Sequence, residues 1–374
     1  MKLNKVQWVE IGEYISQSDA RNSKGEYTVD DVRGLSVQKK ITETKANMEG
    51  VSVLSYKLLK PRQFAYVPDT SRRGDKMSLG YNETDDTFLV SSISCVFEIL
   101  DPNILLPEFL YLFFCRPEFD RYARFNSWGS AREAFSFEDM QRVRIPLPSI
   151  EVQLTIVDAW KSLRNIKEQN EALAAPLMQL CQSYIQECKH KYDYTPIGQY
   201  LEESDERNTE LKINLSQGVA NSKIFQDPKQ VAANSKADKI VRQGYFAFNR
   251  ATTRNGEKIS IAYREGPDCT VSSAYGVFRI KDTNVLNPYF LWMWFRRPEF
   301  DRYARYKSKG SAHEFFDFEE MCRVEIPLPP IDVQNAVVAL YQCALENKDI
   351  ALKADLQARS ICSALMQHAI NNNL

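Results

Sequence analysis

The stretch RPEFDRYAR occupies residues 116–124 and returns, letter for letter, at residues 297–305. The offset is 297 − 116 = 181, and it holds downstream. Gly129-Ser130-Ala131 returns as Gly310-Ser311-Ala312, and Phe135 and Phe137 return as Phe316 and Phe318. Ile145-Pro146-Leu147-Pro148 and Val152-Gln153 return as Ile326-Pro327-Leu328-Pro329 and Val333-Gln334. Solenoid repeats run at only about 20–50 residues, so a repeat at this period is a duplicated domain. The chain is a domain and a long helix, written twice.

Upstream of the repeated stretch the copies echo each other more loosely. The lead-in Val6–Tyr14 answers Tyr194–Tyr200, and Asp19-Ala20-Arg21-Asn22 answers Asp205-Glu206-Arg207-Asn208. Short apolar runs at 50–54, 64–67 and 90–100, and at 246–248 and 271–280, read as strands of a mixed sheet. Here the offset is 182, which places a one-residue loss in the loop near 82–89. Pro107–Phe114 and Pro288–Phe295 open on proline and are apolar on nearly every side, which predicts buried core helices. Phe119, Tyr122 and Phe125, with Phe300, Tyr303 and Tyr306, continue an apolar stripe into the repeated stretch.

After each Pro-Leu-Pro the apolar positions turn helical, from Val152, Ile156 and Val157 on to Leu173, Leu177 and Leu180, and from Val333, Val337 and Val338 on to Leu352 and Leu356. Spacings of three and four over some forty residues suit a helix–helix seam, in rods about 60 Å long. The expected fold is α+β: two homologous mixed α/β domains separated by two long helices packed antiparallel, with approximate internal two-fold symmetry. The boundaries are 1–150 and 193–331 for the domains, 151–192 for the central spacer helix and 332–374 for the C-terminal one. Pro176 predicts a kink or short break near Ala175.

Composition excludes more than it selects. With 374 residues, 44% hydrophobic and 26% charged, the chain reads as an ordinary soluble globular protein. It shows neither a bilayer-length apolar run nor a signal-peptide core, and a cytoplasmic location is expected. The eight cysteines are irregularly spaced and read as reduced thiols. A formal net charge of −1 means that any basic surface is local.

Catalytic signals are thin. Asn287-Pro288-Tyr289-Phe290 approaches the Asn/Asp-Pro-Pro-Tyr/Phe pattern of adenine methyltransferases, but the second proline is absent and the first copy reads Leu106-Pro107-Glu108-Phe109. No glycine-rich loop cradles a cofactor. Asn287 as a helix N-cap explains the same residues. The histidines (His190, His313, His368) make no metal pair, and the adjacent carboxylates Glu138-Asp139 and Glu319-Glu320 do not face one another on a helix. No catalytic residue, metal ligand or bound cofactor is expected.

The polar loops say more. Ser36, Gln38 and Lys39 stand against Asn221, Ser222 and Lys223. Arg72, Arg73 and Lys76 stand against Arg250, Arg254 and Lys258, and Ser130 and Arg132 against Lys309, Ser311 and His313. Arg and Lys hold phosphates, and Arg, Gln, Asn and Ser reach base edges. Taken singly, each loop reads equally well as a solvated turn. Together they differ between copies while the frame is identical, and two reading surfaces on one frame suit two different DNA targets.

The segments 145–157 (IPLPSIEVQLTIV) and 326–338 (IPLPPIDVQNAVV), each leading into a long helix, resemble the specificity subunit of type I restriction–modification systems. The resemblance spans essentially the whole chain: target-recognition domain, spacer helix, and both again. It implies a non-catalytic subunit that binds double-stranded DNA, each domain reading half of a split target while the helices set the gap. It also implies two methyltransferase subunits as partners, which use S-adenosylmethionine, and motor-endonuclease subunits in systems that restrict. Glu118, Asp120, Glu299 and Asp301, with the outer helix faces, are the expected docking surface. A two-domain protein-binding adaptor without DNA readout is the alternative.

Overall fold

The computed structural model describes residues 7–70, 76–129, 132–228, 235–252, 258–310 and 314–371, the side chains of 361–363 and 365–371 aside. The chain divides into two compact units, 1–169 with 350–374, and 170–349.

In the first unit the strands Ile15–Ser18, Cys95–Ile99, Phe64–Tyr66 and Leu79–Tyr81 lie side by side, in that order, in one sheet. Three ribbons accompany it: Gln7–Glu10 with Arg144–Leu147, Arg33–Leu35 with Ile41–Glu43, and Lys57–Leu59 with Phe88–Val90. Helices α1 (Pro107–Phe114), α2 (Pro117–Phe125) and α3 (Phe137–Gln141) pack against it, followed by the long α4 (Ile150–Lys191). The second unit repeats the plan. Its sheet runs Leu201–Glu203, Tyr275–Ile280, Phe246–Asn249, Ile261–Tyr263, and its helices are α5 (Pro288–Phe295), α6 (Pro298–Lys307), α7 (Phe318–Cys322) and the long α8 (Ile331–Asn371).

Every ladder among the described residues is antiparallel, so the sheets are not mixed in direction. Parallel pairing appears in single bridges, Val32 to Leu89 and Ser216 to Thr270. Residues 51–54 form no strand, although Val53 is buried in a small cluster with Val32 and Leu89. Strand 79–81 maps to 261–263 at offset 182 and strand 88–90 to 269–271 at 181, which puts the lost residue in the loop between.

The aromatic core explains the apolar letters of the repeated stretch. Phe64 stacks on Phe97 at 5.0 Å, and Phe246 stacks on Phe278 at the same distance. Phe119 of α2 meets Phe114 at 4.6 Å, and Phe300 meets Phe295 at 4.6 Å. Off-centre ring packing of this kind adds to plain area burial. The stripe stops short of its expected end, however: Phe125 is 78% exposed and Tyr306 is 82% exposed.

Each long helix belongs to both units. In the first, residues 150–169 share a unit with 350–374, and Lys167 Nζ lies 2.9 Å from Asp355 Oδ1. In the second, 170–191 accompany 331–349, with Cys181 Sγ 3.8 Å from the Val337 carbonyl. Leading half meets trailing half in both, which is the antiparallel pairing. The expected apolar seam is partly corrected: Ile156, Val157, Ile185, Val337, Val338 and Tyr341 are buried, but Leu173, Leu180, Leu352 and Leu356 are each more than half exposed, and small side chains (Ala174, Ala344, Ala351, Ala354) are buried nearby. Small residues let helix backbones approach closely, which leaves longer neighbours outside the contact. Helix α4 is continuous through Pro176, so the expected break is absent.

Candidate nucleic-acid interface

Asp120 sits in the first turns of α2, 9% exposed. Its Oδ1 accepts a hydrogen bond from the Met77 N–H at 3.0 Å and a second from Lys39 Nζ. Lys39 Nζ also donates to the Met77 carbonyl at 2.8 Å, and its own carbonyl accepts from the Tyr111 hydroxyl at 2.9 Å. One carboxylate therefore fastens the 36–40 turn to the backbone at Met77. Asp301 does the same in the second unit. Its Oδ1 accepts from the Ile259 N–H at 3.2 Å and lies 2.7 Å from Lys223 Nζ. Ser260 Oγ donates to Asn221 Oδ1 at 2.6 Å, which ties the same two loops again.

The last arginine of the repeated stretch holds a third loop. Arg124 pairs with Glu133, and Arg305 pairs with Glu314. Thr70 N–H donates to the Glu133 carbonyl at 3.0 Å, and Thr252 N–H donates to the Glu314 carbonyl at 2.9 Å. The described residues that flank the three loop pairs singled out by sequence thus meet within each domain, on a frame of identical residues.

Lys39 and Lys223 adopt left-handed backbone, φ 61° and 64°. This region is uncommon for non-glycine residues. Each is only 3% exposed. Burial pulls both ammonium groups below the usual lysine range, and the facing Asp120 or Asp301 carboxylate pulls back. The expectation that these lysines face DNA is corrected: their ammonium groups are already engaged inside the domain. The docking role expected for Asp120 and Asp301 falls for the same reason.

The other candidates are distributed unevenly. Gln38, Lys76, Arg132, Asn221, Ser222 and Lys258 are exposed, and Ser36 is partly covered in its turn. Arg250 is paired with Asp317, Nε to Oδ1 at 2.9 Å. Lys309 lies 2.6 Å from Glu320, whose carboxyl it holds below the usual range. Arg72, Arg73, Ser130, Arg254, Ser311 and His313 lie outside the described residues. Sequence reasoning missed Arg124, Arg305, Glu133 and Glu314 as loop anchors. The signal available was an arginine repeated without change beside loops that had diverged.

The Gln of the Pro-Leu-Pro segments has a defined task. Gln153, fully buried, accepts from the Leu106 N–H at 2.9 Å and donates to the Ile104 and Pro148 carbonyls at 2.9 and 3.0 Å. Gln334 makes the matching set with Asn287, Val285 and Pro329 at 2.8, 2.9 and 2.8 Å. Asn287 caps α5, its side chain accepting from the Tyr289 and Phe290 N–H groups. The residues that approach a methyltransferase pattern are occupied as a helix start. Among the described residues no cluster of His, Cys, Asp or Glu could hold a metal, and no helix is long and apolar enough to cross a membrane.

Residues 70–175 match the family model of the type I restriction modification DNA specificity domain. No curated protein matches the chain. Among solved structures, the type I restriction–modification S subunit from M. genitalium is similar over 99% of this chain and 97% of its own, at 12% identity and a TM-score of 0.62. The HsdS subunit from Thermoanaerobacter tengcongensis aligns over 100% of this chain and 99% of its own, at 17% identity and a TM-score of 0.41. The first of these likenesses is one of fold, and it runs the length of the molecule. The chain thus carries a match to the DNA specificity domain at 70–175 within a fold similar, over its whole length, to that of a type I restriction–modification S subunit.

Proposed function

We propose that this chain is a type I restriction–modification specificity subunit without catalysis of its own, reading a split DNA target, one half through each domain, while the two long helices set the gap and dock two methyltransferase subunits. In this reading the partners transfer methyl groups from S-adenosylmethionine to adenine in the cytoplasm, and restriction subunits join where the system cuts. The exposed residues Gln38, Lys76, Arg132, Asn221, Ser222 and Lys258 are the DNA-facing side chains of the described loops, with Arg250 and Lys309 beside them. The division into domains 1–150 and 193–331 with spacers 151–192 and 332–374 belongs to the same proposal.

The observation that supports it is that, in each domain, described residues flanking the candidate loops are held by the unchanged Asp and Arg of RPEFDRYAR. A recognition module needs a rigid base under variable side chains. The test is to map methylated adenines in cells expressing the chain with its methyltransferase, then to measure binding of the mapped duplex against salt. A bipartite motif, with affinity falling steeply as salt rises, supports the reading. Binding indifferent to sequence and salt would leave the adaptor instead.

A further inference from the structure

Phe125 and Tyr306 directly follow the two copies of RPEFDRYAR, and both are aromatic, whereas Asn126, Trp128 and Arg132 just beyond are replaced by Lys307, Lys309 and His313. At 78% and 82% exposure they are the two most exposed large hydrophobic side chains among the described residues. Single exposed apolar residues are ordinary on any protein. The two extremes falling at the same position of a repeated frame are not explained that way. Folding does not account for them either, since the buried rings of these helices are Phe119 and Phe300, six residues earlier. Each exposed ring is the chain neighbour of an arginine, Arg124 or Arg305, that ties the third loop of its domain. Each therefore stands at the rim of its own loop cluster.

We propose that Phe125 and Tyr306 are base-stacking residues, each taking the face of a base that leaves the helical stack within the half-site its domain reads. The proposal rests on the DNA-reading function above and adds a contact that the polar loops do not supply. An aromatic ring stacks on any base, so such a residue tolerates changes of sequence. Apolar side chains inserted at a base step unstack it and bend the duplex. Chemistry on a base inside a duplex requires that base to be taken out of the stack, and an aromatic side chain can take the face so exposed. A shared aromatic beside positions that differ between the copies (Asn126 and Lys307, Arg132 and His313) fits this division: stacking is common to both half-sites, and hydrogen-bond readout is particular to each.

The test uses the complex of the full chain with its methyltransferase and a duplex of the mapped target, with 2-aminopurine substituted at each adenine in turn. Wild type should brighten the probe at one step or more in each half-site. Phe125→Ala should abolish the brightening in one half-site only, Tyr306→Ala in the other, with affinity about tenfold weaker. Phe125→Tyr and Tyr306→Phe should restore both readouts. The slope of affinity against salt should stay that of wild type, because no phosphate contact is removed. Alanine variants with unchanged brightening and affinity overturn the proposal while leaving the function intact. So does loss of methyltransferase co-purification, which would make the rings a protein contact. A wild-type complex that does not distinguish the mapped duplex from a scrambled one removes the underlying function, and this proposal with it.

Discussion

Asp301 Oδ1 lies 2.7 Å from Lys223 Nζ, and the two side chains are 10% and 4% exposed. The carboxylate comes from a helix that is the same in both copies, and the lysine from a loop that is not. The ion pair is where the shared frame grips the variable surface, and Asp120 with Lys39 repeats it in the other domain.

Breaking one partner of such a pair leaves the other charge buried and unmatched, at a cost of about 3–5 kcal/mol. Asp301→Leu should lower the unfolding midpoint substantially, and the double change Lys223→Met with Asp301→Leu should recover much of the loss. Denaturant titration of the three proteins measures this. Equal stability of single and double variants would show that the pair is not coupled.

Gln334→Leu removes three buried hydrogen bonds at once and strands the Asn287 N–H and the Val285 and Pro329 carbonyls. Each buried polar group left unpaired costs about 1–3 kcal/mol. The variant should lose at least about 2 kcal/mol in denaturant titration, and Gln153→Leu should behave alike. Gln334→Glu at neutral pH should be no better, because a buried carboxylate cannot donate to the two carbonyls.

Gly129 holds φ +143°, and a Cβ there would meet the Arg132 carbonyl oxygen at 2.1 Å. Gly129→Ala should therefore distort the third loop of the first domain while sparing the core. The expected result is loss of one half-site in methylation mapping, the other half unchanged, with the melting temperature moved by only a few degrees.

The Lys167–Asp355 pair predicts an acid-sensitive helix contact. The lysine's hydrogen bond lowers the Asp355 carboxyl from its ordinary 3.8. A carboxyl lowered by folding stabilises the fold above its unfolded value, and that contribution disappears as pH falls through the lower folded value. With both side chains about a quarter exposed, the contribution is up to about 1 kcal/mol. The melting difference between wild type and Asp355→Asn should be constant above pH 5 and close below about pH 4. A difference independent of pH would show that the charge is not involved.

If the helices set the gap, removing four residues from each of α4 and α8 shortens them by about 6 Å. That is close to two base-pair steps of about 3.4 Å. Methylation mapping should return both half-sites unchanged with a gap about two pairs shorter. An unaltered gap would defeat the proposed ruler.

Duplication, the two long helices and the buried apolar helices at 107–114 and 288–295 were legible in the chain alone, because identity at a fixed offset and helical periodicity are local signals. The loops proposed to carry recognition stood out by contrast between copies. Tertiary structure alone decided which side chains those loops expose. Lys39 and Lys223 read as surface cations, yet the carboxylates that capture them come from helices about eighty residues away in sequence. Phe125 and Tyr306 read as core, yet at the ends of α2 and α6 they are 78% and 82% exposed. Leu173 and Leu352 kept the right period for a seam but stay exposed, while Ile185, Val337 and Val338 are buried together with Cys181, and Ala174 and Ala351 are buried as well. A residue's spacing states which face of its helix it occupies. What that face meets depends on elements distant in sequence, which only the folded chain brings together.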